Sequence, residues 1–289
     1  MKLKKGRSLL SFINTPKKWQ TKSLLRGAIL LLSSLMMVSC LSKEEIEFER
    51  AQKANQTNQF EKAVEHFKKV IDISVDGDKA LVSAREAARI LHYELKRYDE
   101  AISFYRHTIL YGKTEQERIL AQKKVADIYF NQLTNYTQAI TEYSRLLDLP
   151  HSHDDGLTYR LVVARSYFYL NNFFQAQTEI GNVIADHPPE ELHFEALVLR
   201  SNIYLATKDY KKAEEVLLEI LNDFPQRSKT QNISLNLAVA YEEQSNFAKA
   251  IETLESLRES YPRREFIDQR IKNLKERQSY LPGAKGWRK

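Results

Sequence analysis

The chain has 289 residues, one cysteine and a formal net charge of +6. That length can bury a sizeable core, and a single cysteine excludes an internal disulfide framework. Residues 1–39 hold 8 of the 44 basic residues and no acid; the remainder carries 36 basic against 38 acidic residues, a net charge of −2, so the positive excess is no argument for nucleic-acid binding.

The first stretch carries Lys2, Lys4, Lys5, Arg7, Lys17, Lys18, Lys22 and Arg26 without an acid. An apolar run follows, Ala28 to Leu32 and Leu35 to Val38, ending at Met37-Val38-Ser39-Cys40. A basic region, a short apolar region and a small-residue site describe a secretory signal over residues 1–39. The alternative is an uncleaved membrane anchor, but a run of about a dozen residues is shorter than the roughly 20 that span a bilayer. Met37-Val38-Ser39-Cys40 resembles the bacterial lipobox, with Met37 and Ser39 standing where Leu and Ala or Gly are usual. The resemblance implies cleavage before Cys40 and acylation of that cysteine with diacylglycerol and further chains such as palmitate. Several acyl chains give stable anchoring where one is marginal. Leu41 is not the aspartate that retains such proteins in the inner membrane, so the resemblance favours an anchor at the periplasmic face of the outer membrane, with the inner membrane as the alternative. Residues 40–45 then read as a short polar tether.

Residues 46–262 repeat. Alanine recurs as Ala63, Ala101, Ala139, Ala176, Ala213 and Ala250, at spacings of 38, 38, 37, 37 and 37. Three residues before each stands Phe60, Tyr98, Tyr136, Phe173, Tyr210 or Phe247. Four after stand Phe67, Tyr105, Tyr143, Ile180, Leu217 and Leu254; seven after, Val70, Thr108, Leu146, Val183, Ile220 and Leu257. These offsets lie on one helical face. An earlier helix in each repeat has its own small residue: Ala51, Ala88, Ala126, Ala164, Ser201 and Ala238. Repeats two and three carry one extra residue, expected in the turn. Pro150, Pro188, Pro225 and Pro262 are expected to stop the second helices. Residues 263–279, with Phe266, Ile267, Ile271 and Leu274 at helical spacing, read as a capping helix, and residues 280–289 as a disordered basic tail containing Trp287.

This pattern resembles the tetratricopeptide repeat (TPR), without the tryptophan of the family pattern and with Arg200 where leucine is usual. The expected fold is therefore all-α: a TPR helical-hairpin solenoid of about six repeats with a C-terminal capping helix. An ordinary helical bundle is the alternative, and it has no need of an alanine every 37 residues. The lipobox followed by TPRs also resembles the TPR lipoprotein of the outer-membrane β-barrel assembly machinery, and more distantly pilus-assembly and cell-wall-linked lipoproteins.

One cluster has a catalytic look. His151-Ser152-His153-Asp154-Asp155 partly matches the His-x-His-x-Asp start of a metallo-hydrolase motif, but Gly156 stands where its final histidine belongs. The simpler reading is a solvated loop between repeats three and four. No catalytic set, metal site or cofactor is expected beyond the lipid on Cys40, and a metal-dependent hydrolase is the least favoured reading. In TPR arrays the first helix of each repeat lines a concave groove. Counting from the small residue, that resemblance assigns to the groove Arg85, Arg89, His92 and Tyr93, then Lys123, Asp127 and Phe130, then Arg165, Phe168 and Tyr169 with Leu161, then Asn202 with Val198 and Leu205. Cations beside aromatic rings suit an extended peptide from another protein, with acidic groups or a terminal carboxylate.

Overall fold

The computed structural model describes residues 42–280. The signal segment, Cys40 and residues 281–289 with Trp287 lie outside the described residues. Among those described there are fourteen α-helices and no strand. They are α1 (Lys43–Gln56), α2 (Phe60–Ile73), α3 (Asp78–Arg89, prolonged by a π-helical turn Ile90–Glu94), α4 (Tyr98–Tyr111), α5 (Glu115–Asn131), α6 (Tyr136–Leu147) and α7 (His153–Tyr169). Then come α8 (Phe173–Ala185), α9 (Glu190–Ala206), α10 (Tyr210–Asp223), the short α11 (Pro225–Thr230), α12 (Ile233–Glu243), α13 (Phe247–Leu257) and α14 (Arg264–Ser279). They pair as six hairpins, with α11 and α12 together forming the first arm of the sixth. Helix α14 closes the stack by laying Ile267, Ile271 and Leu274 onto the last hairpin.

The periodic residues explain why the hairpins stack. Each repeated aromatic is the first residue of a second helix. All six repeated alanines are fully buried, as are the six small residues of the first helices. Small side chains let two backbones approach closely, so a larger one there would overpack the pair. The positions four and seven beyond each alanine are buried as well, apart from the half-buried Leu257. The apolar interior runs as four successive clusters along the stack, because each hairpin covers only its neighbours.

Every hairpin turn contains one residue in the left-handed region two places before the aromatic: Asn58, Lys96, Thr134, Asn171, Lys208 and Ser245. None is glycine. In repeats one, four, five and six the turn is a Schellman cap; in repeat four, for example, Asn171 N–H donates to Phe168 O at 2.9 Å and Asn172 N–H to Tyr167 O at 2.8 Å. Repeats two and three differ. Leu95 N–H donates to Ile90 O, and Leu133 N–H to Ile128 O, each at 3.0 Å and five residues back. The extra residue expected in the turn is thus absorbed in the last turn of the first helix, which widens to a π-turn.

Three other expectations change. Pro225 does not merely stop a helix; it is the first residue of α11, where its missing N–H costs nothing. The predicted loop 151–156 is mostly helix: Ser152 caps the N-terminus of α7 by accepting from Asp155 N–H at 3.1 Å, and His153, Asp154, Asp155 and Gly156 form its first turn. An N-terminal turn rich in Asp is stabilised by the helix dipole, which the histidine-rich look of the segment obscured. Finally, α1 starts at Lys43, inside the predicted tether, with Ser42 as its cap.

Candidate partner-binding groove

The first helices of successive repeats are tied side by side through polar pairs. Arg85 on α3 reaches Glu117 on α5 at 2.6 Å, and Lys124 on α5 donates to the Tyr93 hydroxyl at 3.0 Å. Arg165 on α7 meets Glu195 on α9 at 2.8 Å, Asn236 on α12 donates to Asn202 on α9 at 3.5 Å, and Arg270 on α14 meets Glu242 on α12 at 2.7 Å. Lys79 with Glu45, Lys113 with Asp78, and Arg227 with Glu191 extend the series. From α5 to α7 the tie is aromatic: Phe130 and Tyr169 lie 6.2 Å apart, and both meet Tyr136 of α6.

This arrangement reassigns several predicted groove residues. Each of the four cations has an acidic partner within the chain: Arg85 with Glu117, Arg89 with Glu86 at 3.1 Å and Glu94 at 3.5 Å, Lys123 with Asp127 at 2.9 Å, and Arg165 with Glu195. The face is of mixed charge rather than a strip of free cations. His92 is only 7% exposed. It stacks on Tyr93 with ring centres 4.1 Å apart and sits edge-on to Tyr98 and Tyr105. It lies in the π-turn, where helical counting from Ala88 no longer reports direction. Burial, then the charge of Lys124, holds the His92 imidazole below its ordinary pKa. Asp127 turns toward its own hairpin, accepting from the Tyr143 hydroxyl at 2.5 Å; burial and that carboxylate push the Tyr143 phenol up. Leu161 is buried, and Val198 and Leu205 are half-buried.

Between α3 and α5 the face opens into an apolar cavity of about 220 Å³. Leu120 and Ala121 line one side, and Tyr105 and Thr108 come up from α4. Arg85, Glu117 and Lys124 form its charged rim. The Thr108 hydroxyl is buried without a hydrogen-bond partner. Burial raises the Tyr105 phenol to about 12, so it stays a neutral donor at physiological pH. The hydrogen bond from Thr114 N–H, and more weakly Arg85, holds the Glu117 carboxyl low, so it stays charged. Counting along α5 missed this place, although one signal was present. Thr108 is the polar member of a position that is Val, Leu or Ile in the other five repeats.

His151 and His153 do not converge on one ligand. The His151 ring packs over Gly156, where an added Cβ would come within 2.6 Å of it, while His153 faces Asp186 at 3.8 Å. Among the described residues no group of three His, Cys, Asp or Glu is placed to hold a metal ion, and no helix is long and apolar enough to cross a membrane.

Comparisons with known proteins bear on the fold. The family model for soluble NSF attachment protein (SNAP) matches residues 42–168, and tetratricopeptide-repeat models match residues 161–228 and 234–263. Similar solved structures include a TPR protein from Parabacteroides merdae, 14% identical with a TM-score of 0.53, covering 82% of this chain and 88% of that one. YrrB, described as a TPR protein with an unusual peptide-binding site, is 15% identical with a TM-score of 0.51 over 73% of this chain and all of its own. PilW, a type IV pilus biogenesis factor, is 13% identical with a TM-score of 0.52 over 80% of this chain and 99% of its own. A search of curated proteins gives no match. The fold is the all-α TPR helical solenoid.

Proposed function

We propose that the protein is a non-catalytic interaction scaffold, held at the periplasmic face of the outer membrane by lipid on Cys40, that binds an extended segment of another protein along its first-helix face. The observation that carries the binding reading is the apolar cavity between α3 and α5 with its charged rim. A cavity of about 220 Å³ suits one apolar side chain of a bound peptide. Lys124 offers the rim cation that is joined to a neutral hydroxyl rather than to an acid, so a peptide carboxylate can be received there. The solved TPR relative with a peptide-binding site supports the class of ligand.

The anchor reading rests on Met37-Val38-Ser39-Cys40 after a basic and apolar segment. A place in β-barrel assembly is the alternative role, resting on the order of lipobox and repeats. Partners cross-linked to the native protein in its membrane should be lost in a Leu120→Asp, Lys124→Glu variant and retained in Lys211→Glu, an exposed position on α10. Loss of such a buried contact should weaken binding by about 2–5 kcal/mol. Equal capture by both variants would remove the groove from the mechanism. Separately, Cys40→Ala should abolish acyl labelling; a labelled variant would refute the anchor.

A further inference from the structure

The turns of repeats three and four depart from the rest of the chain. Residues 128–141 and 166–178 contain no charged side chain, in a protein that is 28% charged. The matching turns of the other repeats do carry charges, such as Glu61 and Lys62, Arg97 and Asp99, Lys208 and Asp209, and Lys249. The two uncharged turns are adjacent in space. Tyr136 and Tyr169 stack with centres 4.6 Å apart, and Phe130 joins them. Two places before the left-handed residue stands Gln or Glu in four repeats and Ala in a fifth, but Tyr169 here. The residue after the repeated aromatic is Glu, Asp, Thr, Lys or Ala elsewhere, but Phe174 here. Tyr169 is 51% exposed and Phe174 77%, with Leu170 exposed between them. Tyr169 ties two hairpins through Tyr136, yet half of it stays exposed together with Leu170 and Phe174.

We infer that this uncharged aromatic edge is the contact surface of a two-fold homodimer, its occupant being the same edge of a second copy of this chain. An isologous contact sets a surface against itself, so any charge near the axis meets a like charge; an uncharged surface is complementary to itself. A contact with a different protein has no such restriction and gains orientation from opposite charges. Depletion of charge with enrichment in Tyr and Phe is also the composition of interface centres, and exposed apolar patches of this kind mark association sites. The edge lies at the hairpin turns, so pairing there leaves the cavity between α3 and α5 open. The edge shares no residue with the cavity lining, although Phe130 and Tyr169 border the first-helix face.

Sedimentation equilibrium of the full chain in density-matched detergent tests it. The native chain should show a concentration-dependent mass of two copies. Phe174→Asp and Phe174→Lys should each raise the dissociation constant by about tenfold or more, and Phe174→Ser by less. An equimolar mixture of the Asp and Lys variants should regain the pair, because the two-fold brings opposite charges together. The exposure of Phe174 means that circular dichroism should stay native in all three. A native chain that is monomeric at every concentration overturns the inference, whether or not the edge then holds a lipid or a glycan. So does a Phe174→Asp variant of native mass, or a mixture that stays monomeric.

Discussion

Repeats two and three differ from repeats four to six by one residue. The alanine spacing falls from 38 to 37 between Ala139 and Ala176, and the SNAP family match ends at residue 168 beside that change. The later repeats close with Schellman caps; the earlier two widen the end of the first helix into a π-turn. In both regions the aromatic still begins the second helix and the alanine is still fully buried. The inserted residue is therefore absorbed within the first helix, and the second helix keeps its register. Its consequence is local: His92 lies buried in the widened turn, and α3 and α5, whose ends it widens, flank the apolar cavity.

Both kinds of hairpin are most sensitive at the buried alanines. Ala176→Phe and Ala101→Phe should each destabilise by about 1–3 kcal/mol, read from urea unfolding, since both overpack a helix pair. A much smaller cost for Ala101→Phe would mean that the widened turn has loosened its hairpin. The left-handed residues give the next effect. Thr134 is β-branched at φ 47°, a conformation that costs an L-residue roughly 1–2 kcal/mol. Thr134→Gly should stabilise by about 0.5–1 kcal/mol, the gain being reduced by the freedom glycine adds to the unfolded chain. The same change at Asn171 should gain less, because Asn tolerates this region; equal gains would refute a special strain in the wide turn.

The smallest effect is one of pH. His92 titrates below its unfolded value of 6.5, so below pH 6.5 the unfolded chain binds more protons than the folded one. The stability this group contributes is complete above that pH and declines as pH falls through the folded value. His92→Phe should flatten this decline in thermal melts while keeping the stack on Tyr93. In repeat one, Glu47 is held below 4.5 by its hydrogen bond from His66 and by Arg50, so the contribution of its carboxyl fades only in more acid solution. A His92→Phe protein with the native pH profile would show that the widened turn has no titration signature.

The alanine period was enough to specify the hairpins and their order, and the spacing of Ile267, Ile271 and Leu274 the cap, because each repeat states the same local rule and its core lies within one or two neighbours. The first helical residue of every second helix, and the buried faces of both arms, were legible from spacing alone. The groove was not. Whether Arg85 and Arg165 are free depends on which carboxylates the stacking brings alongside, Glu117 and Glu195, and those lie 32 and 30 residues away in sequence. The direction of His92 depended on a π-turn that helical counting takes no account of. The cavity beside Thr108 needed three helices to exist at all. Sequence period specifies contacts within a repeat; the pairing of charges and the opening of space between repeats are set only when the repeats are stacked.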